Sequence, residues 1–222
     1  MCQRLTAVPT SVGRLSDEQW LGNLLPDLQG NFSDYEIPIL KKQLNLSDEQ
    51  INAVQTLTDL TQKKNQSGKE EWYVETLRDR SEGKVESSIG DVENAQNKTQ
   101  SAYEKLLNCV HVFRKIMGNK DVEFIQWVQD DSIINAGVYL TFRKHPDMKP
   151  EEIADEVFKV KMENLATLDM EISGKYKKWF KDRAQLTAYG CLMSSEKVWK
   201  DKVLLKKMGE ERERFRQRML SS

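Results

Sequence analysis

Apolar residues recur at intervals of three and four along most of the chain, which is the spacing of one face of an α-helix. In residues 48–63, Ile51, Val54 and Leu57 follow this spacing. Residues 91–117 carry a longer, heptad-like seam at Val92, Thr99, Tyr103, Leu106, Val110, Phe113 and Met117. The pattern predicts an all-α protein, a multi-helix bundle with short N-terminal helices and longer C-terminal helices.

Helix-capping residues indicate where the N-terminal helices begin. The tetrapeptide Ser-Asp-Glu-Gln occurs at 16–19 and again at 47–50, and in each copy Ser and Gln predict a capping box. Ser33 and Glu36 form a third candidate box, and Pro38 suits the first turn of the helix that follows. The predicted short helices are 17–28, 35–44, 48–63 and 70–80. Their predicted breaks are Gly30-Asn31, residues 65–68 and residues 81–83.

The second half of the chain predicts longer elements. Gly118-Asn119 ends the helix over 91–117, and two more hydrophobic segments follow at 122–128 and 133–142. The second segment contains Val138-Tyr139-Leu140-Thr141-Phe142, for which a strand competes with a helix; the helical surroundings favour helix. A helix from Pro150 runs towards Gly190, with Gly174 as a candidate interruption. Ser194 or Ser195 then caps a charged helix to about Met219.

These elements suggest three regions: a flexible leader at 1–15, a short-helix module at 16–85 and a long-helix bundle at 86–222 that ends in a basic helix. Several short capped helices precede Glu70-Glu71-Trp72-Tyr73-Val74-Glu75-Thr76-Leu77. With that segment in the place of an aromatic-rich fifth helix, residues 16–90 resemble a death-fold module, especially a caspase-recruitment domain. The resemblance implies homotypic assembly through complementary charged faces.

Composition favours a folded chain, because 38% of residues are hydrophobic and 31% are charged. No apolar run approaches the roughly 20 residues that a membrane-spanning helix needs. The first 15 residues lack the apolar stretch of a secretory signal, so we expect a cytoplasmic protein, or one inside a host cell if it is an effector or viral protein. Glycosylation sequons at Asn31, Asn45, Asn65 and Asn97 would matter only in a secreted protein.

The motifs of catalysis are missing from the sequence. It contains no phosphate loop, no dinucleotide fingerprint, no nucleophile elbow and no HExxH pair. Cys2, Cys109 and Cys191 lie far apart, and the two histidines are His111 and His145, so we expect no metal site and no cofactor. Cys109 and His111 stand two apart on a helix and point to different faces, which favours a structural role for His111. The sequence therefore predicts a protein that is not an enzyme.

Two pairs of neighbouring acids remained as weaker candidates. Asp130-Asp131 and Glu151-Glu152 could bind a cation or transfer protons if several elements converged on them. Solvated helix faces and helix N-termini explain such pairs more simply.

Charge is distributed unevenly along the chain. From Lys175 onward there are fourteen basic and six acidic residues, a balance of +8, whereas the whole chain carries −1. Aromatic residues stand among these basic ones. The candidate basic and aromatic contact surface comprises Lys175, Tyr176, Lys177, Lys178, Trp179, Lys181, Arg183, Trp199, Lys206, Lys207, Arg212 and Arg216.

Such a surface has several possible partners. It can bind an acidic protein, including the acidic end of a second copy, and it can hold phosphates and stack bases of a nucleic acid. It can also lie on an anionic membrane. In the simpler interpretation, the aromatic residues belong to the hydrophobic core and the lysines lie on the solvent-exposed side of the same helices. Our hypothesis is an interaction protein, such as an adaptor, assembly subunit or effector, with an acidic body and a basic C-terminal end. The alternative is a helical nucleic-acid-binding protein such as a viral nucleoprotein or regulator.

Overall fold

A computed structural model describes the backbone of residues 15–28, 32–33, 36–80, 87–166 and 173–221. Within these ranges the chain forms nine α-helices and no strand, so the all-α prediction is confirmed. The predicted leader, apart from Leu15, lies outside the described residues. The predicted breaks at Gly30-Asn31 and at residues 81–83 also lie outside them.

The chain divides into two compact units, Ser11–Ile125 and a C-terminal unit that contains Gln126–Ser222. The division between these compact units falls between Ile125 and Gln126, within the helix Lys120–Lys144, and the three regions suggested by the sequence stay a prediction. The helices on either side of residue 85 pack along each other, which places them in one unit.

The N-terminal unit begins with two short helices and continues with a hairpin of two long ones. Its helices are α1 (Asp17–Leu24), α2 (Ile37–Leu44), α3 (Asp48–Arg80) and α4 (Ser87–Met117). Both Ser-Asp-Glu-Gln capping boxes form: Gln19 N–H donates to Ser16 Oγ, and Gln50 N–H donates to Ser47 Oγ, each at 3.2 Å. The side chains of the two glutamines accept from the serine N–H groups at 3.1 Å.

The third predicted capping box forms only in part. The Glu36 carboxylate accepts from Ser33 N–H at 3.1 Å, but Ser33 Oγ donates to the same carboxylate and, among the described residues, caps no backbone group. Helix α2 consequently begins at Ile37, with Glu36 as its N-cap residue and Pro38 in its first turn.

The break predicted at residues 65–68 is wrong, because α3 is a single helix of 33 residues that continues through them. Ser67 Oγ donates to Lys63 O at 3.1 Å within the helix, and α4 packs alongside. Tertiary packing thus outweighs the weak helix propensity of Gly68. The segment Glu70–Leu77 is part of this long helix and not a separate fifth helix, so the structure does not support the death-fold resemblance.

The two ends of the α3–α4 hairpin are held by side-chain hydrogen bonds. Gln50 Nε2 donates to Ile116 O at 3.1 Å, so a residue of the α3 capping box also satisfies a carbonyl at the end of α4. At the opposite end, Gln96 Nε2 donates to Glu75 Oε1 at 3.1 Å. Helix α4 ends at Gly118, whose φ of 58° is the left-handed conformation expected of a C-terminal glycine.

Aromatic residues fill the centre of the N-terminal core. Trp20, Phe113 and Phe124 are at most 1% exposed, and the ring centroids of Phe113 lie 5.4 Å from Trp20 and 5.3 Å from Phe124. The predicted seam of α4 faces this core, because Leu106, Val110, Phe113 and Met117 are all buried. The Val92 side chain lies outside the described part.

The C-terminal unit contains most of α5 and the four helices that follow. They are α5 (Lys120–Lys144), α6 (Pro150–Ala166), α7 (Gly174–Met193), α8 (Glu196–Lys200) and α9 (Lys202–Ser221). Residues 133–142 are helical, which settles the choice between helix and strand, and they share α5 with residues 122–128. Helix α7 starts at Gly174, the candidate interruption, where Ser173 Oγ accepts from Tyr176 N–H.

The last predicted helix is two helices. Ser195 caps α8 as expected, but Asp201 leaves the helical conformation, with a ψ of 96°. Its Oδ1 then accepts from the N–H groups of Val203 and Leu204 at 3.0 Å, which makes Asp201 the cap of α9. The carboxylate therefore competes with the continuing helix and produces a kink.

The C-terminal core lies between α5, α6 and α7. Its buried residues are Ile134, Val138, Ile153, Ala154, Val157, Phe180, Ala184, Ala188 and Leu192. Gly137 of α5 lies close to α6, since a Cβ atom placed there would lie 2.9 Å from Val157 Cγ1. A glycine in mid-helix is explained here by packing and not by a turn.

We predict opposite effects when two mid-helix glycines are replaced by alanine. Gly68→Ala in α3 meets open space and should raise the free energy of unfolding by about 0.5–1 kcal/mol. Gly137→Ala should instead lower it by about 1–3 kcal/mol, because the stiff Val157 side chain must move. Urea unfolding of both variants tests this. Equal stabilisation by both would show that α5 and α6 are not in tight contact at Gly137.

Candidate contact surface

Three of the predicted contact residues lie in or against the C-terminal core. Arg183 is only 4% exposed, and Tyr176 and Trp179 pack against the core cluster around Phe180. The ring centroid of Phe180 lies 6.1 Å from that of Tyr176 and 6.3 Å from that of Trp179. These side chains hold helices together, and Arg183 is not accessible to a partner.

Arg183 belongs to a buried ionic network that the sequence did not reveal. Its Nε donates to Asp131 Oδ1 at 2.6 Å, with both residues less than a tenth exposed. Asn135 also donates to the Asp131 carboxylate, at 2.9 Å, and Thr187 donates to Asn135 Oδ1 at 3.2 Å. The network joins α5 to α7 through paired charges, as burial of charge requires.

Asp130 belongs to a second buried group of polar side chains, which includes a residue of α6. Lys161 Nζ donates to Asp130 Oδ1 at 3.3 Å, and the Tyr176 hydroxyl also bonds to this carboxylate. Burial raises the pKa of Asp130 above its ordinary value despite the opposing effect of Lys161. Burial and the Asp130 charge raise the pKa of the Tyr176 hydroxyl as well, so it stays a donor.

These contacts correct the solvated-face interpretation of Asp130-Asp131, since both carboxylates are buried and each has a cationic partner. Glu151 and Glu152, in contrast, do occupy the first turn of α6, as expected. No cluster of three or more His, Cys, Asp or Glu residues that could hold a metal ion occurs among the described residues.

The outer face of α7 carries the next four predicted lysines. Lys175 and Lys177 are exposed, and Lys178 pairs with Asp182 at 2.6 Å within the same helix. Lys181 pairs with Asp155 of α6 at 2.6 Å and lies 4.7 Å from the centroid of the Phe158 ring. Half of this face is therefore already engaged with side chains of the same unit.

The remaining predicted cations lie on α9. Arg212 is partly buried, and Arg216 pairs with Glu213 at 3.1 Å. Lys206 and Lys207, one turn into the helix, are exposed, and neither forms an ion pair within the described part of the chain. The predicted surface is thus divided between buried, paired and free cations.

The most exposed apolar side chains of the C-terminal unit stand at the kink between α8 and α9. Trp199 is 69% exposed and Val203 is 80% exposed, the two highest values among the large apolar residues that the structure describes. Residues 196–207, which we call the α8–α9 tip, also contain five lysines and two acids. The contact surface predicted from the sequence includes Trp199, Lys206 and Lys207 of this tip but not Lys197, Lys200, Lys202 and Val203.

Carboxylates near the tip compensate only part of its charge. Lys197 pairs with Asp147 at 3.3 Å and Lys200 pairs with Glu196, in both cases between strongly exposed side chains. Such exposed pairs contribute at most about 1 kcal/mol and exchange readily with other partners. Asp201 is used as the cap of α9. Lys202 is exposed and, within the described ranges, has no carboxylate partner.

An open groove of 790 Å³ runs along α7 and α9 beyond the tip. It is lined by Tyr189, Glu210, Glu211, Glu213, Arg214, Gln217 and Arg218. Burial, together with Glu151 and Glu211, raises the pKa of the Tyr189 hydroxyl. Because three glutamates and two arginines line it, the groove does not present one sign of charge.

The histidine and cysteine side chains considered for catalysis either form structural contacts or are not activated as nucleophiles. His111 Nδ1 lies 3.1 Å from Asp17 Oδ2, and Arg114 donates to Asp17 Oδ1 at 2.7 Å. This histidine therefore joins α4 to α1 instead of pairing with Cys109. Burial opposes ionisation of Asp17, but its bonds to Arg114 and His111 outweigh that effect and lower its pKa. Burial raises the pKa of Cys109 and of Cys191, which keeps both thiols protonated.

No protein-family model matches this chain, and neither a curated protein nor a solved structure is detectably similar to it. No helix in the described ranges combines the length and the apolarity needed to cross a membrane.

Proposed function

We propose that this chain is a non-catalytic interaction protein, an adaptor, assembly subunit or effector, that binds an anionic partner through the α8–α9 tip. The observation that carries the proposal is the exposure of Trp199 and Val203 beside Lys202, Lys206 and Lys207, which have no carboxylate partner within the described ranges. An exposed tryptophan inside a ring of one charge provides both an apolar anchor and electrostatic attraction.

The tip also breaks local rules of helix stability. Lys202 occupies the first turn of α9, where the helix dipole disfavours a cation, and the acid at this end of the helix is its cap, Asp201. Lys202 and Lys206 are four residues apart, so their like charges face each other on one side of the helix. Folding gains nothing from this arrangement, which supports a role in binding.

The structure offers less support for nucleic acid than the sequence did. Non-specific binding of single strands depends on several aromatic platforms on which bases stack. Tyr176, Trp179, Phe180 and Phe215 pack against other residues of the unit, and Trp199 remains as the exposed aromatic of the basic end among the described residues.

Charge reversal at the tip tests the proposal. A variant with Lys202, Lys206 and Lys207 replaced by glutamate is compared with one in which Lys63, Lys69 and Lys98, exposed or nearly so on α3 and α4, are replaced. The probes are polyglutamate, single-stranded RNA, vesicles containing phosphatidylserine and, by light scattering, a second copy of the chain. We expect salt-sensitive binding to at least one probe, lost in the tip variant and kept in the control.

Equal losses in the two variants would mean that total charge matters and that the tip has no special role. Unchanged binding in the tip variant would overturn the proposal outright.

A further inference from the structure

The composition of the tip helps to choose between an acidic protein, a nucleic acid and an anionic lipid surface as its partner. All five of its cations are lysines, and lysine is depleted at the centres of protein interfaces, whereas arginine is enriched there. Arginine is also the residue that recognises carboxylates and phosphates with a bidentate fork. Of the arginines of the basic end, Arg183 is buried in α7 and the others lie further along α9, where Arg212 is partly buried and Arg216 is paired with Glu213.

We infer that the partner of the α8–α9 tip is an anionic lipid surface, onto which Trp199 and Val203 insert at the headgroup level while the surrounding lysines contact lipid phosphates and carboxylates. This inference rests on the proposed function, because it names the partner of the same tip.

The arrangement of side chains suits a membrane–water interface. Tryptophan concentrates at that interface because its ring is apolar and its N–H is polar, and lysine side chains extend far enough to keep their charge among the headgroups. Val203, Lys206 and Lys207 stand at positions i, i+3 and i+4 of α9, so an apolar side chain and two cations share one side of the helix. Trp199 precedes them across the Asp201 kink.

The acids around the tip do not cancel its charge. Within residues 196–207 they are Glu196, engaged with Lys200, and Asp201, engaged with the backbone of α9. From a neighbouring element, Asp147 approaches Lys197. With these three carboxylates counted against five lysines, the tip and its surroundings keep a net charge of +2 for attraction to acidic lipids.

The test measures co-sedimentation of the full chain with vesicles of phosphatidylcholine alone and of phosphatidylcholine mixed with phosphatidylserine. We expect binding only to the mixed vesicles. The triple lysine-to-glutamate variant at residues 202, 206 and 207 should lower the partition coefficient by about 100-fold, and the matched variant at residues 63, 69 and 98 should leave it within a few-fold of the original.

Tryptophan variants test insertion separately from charge. Trp199→Ala should reduce binding by about 10-fold and remove the blue shift of tryptophan fluorescence on mixed vesicles. Trp72→Ala, which replaces a similarly exposed tryptophan on α3, should preserve both.

The outcomes distinguish this inference from the proposed function. Tip-dependent binding to polyglutamate, RNA or a second copy without binding to the mixed vesicles would overturn the lipid assignment and leave the interaction protein standing. Equal binding to both kinds of vesicle, or a blue shift that persists in Trp199→Ala, would also overturn the assignment. If no probe binds in a tip-dependent manner, both the inference and the proposed function fail.

Discussion

Replacing Arg183 by leucine is expected to lower the free energy of unfolding by about 3–5 kcal/mol. The change leaves the carboxylate of Asp131 buried without the Arg183 cation, and Asn135, which also donates to that carboxylate, is neutral. An uncompensated buried charge costs far more than the lost pair contributed. Urea unfolding followed by far-ultraviolet circular dichroism measures the effect.

Two further variants identify the cause. Lys178→Ala removes an exposed partner of Asp182 and should cost less than about 1 kcal/mol. The double replacement of Arg183 and Asp131 by leucine removes both charges and should recover much of the lost stability. A double variant as unstable as Arg183→Leu would point to lost packing of the arginine stem instead of an orphaned charge.

Phe180→Ala should lower the free energy of unfolding by a similar amount, about 3–5 kcal/mol, because the ring is fully buried between α5, α6 and α7. Trp199→Ala removes a larger ring and should change stability by no more than about 0.5 kcal/mol, since 69% of that residue is exposed. Thermal and urea unfolding of the two variants provide the comparison.

The contrast between the two aromatic residues also bears on function. If Trp199→Ala proved as destabilising as Phe180→Ala, the tryptophan would be part of the core, and the α8–α9 tip would lose its apolar anchor. If Trp199→Ala is as stable as the original protein, Trp199 is not part of the core and is available for binding. The effect of its loss on binding can then be measured in a folded protein.

Most of the helices could be predicted because their signals are local. The capping boxes at Ser16 and Ser47 satisfy backbone groups three residues away, and the spacing of Leu106, Val110 and Phe113 faces one core. The prediction of a break at residues 65–68 was wrong because it also relied on local signals alone. Local propensity disfavoured a helix there, whereas contact with a second long helix stabilised it.

The candidate surface was only partly predictable, because exposure is not a local property. Lys175, Arg183 and Lys206 look alike as basic residues in a charged segment, yet Arg183 is buried against Asp131, which stands 52 residues earlier in the chain. Trp179 and Trp199 likewise have similar neighbours and opposite surroundings. A helical period does not show which side meets another helix.

The sequence by itself determined the helical class, most helix ends and the excess of positive charge after Lys175, since these depend on composition and on contacts within a few residues. The tertiary structure alone decided where the two compact units divide, which cations are neutralised in the interior and which are free. It also decided that the kink at Asp201 leaves Trp199 and Val203 in solvent beside unpaired lysines. Burial and ion pairing depend on residues that are distant in the chain and meet only when the helices pack.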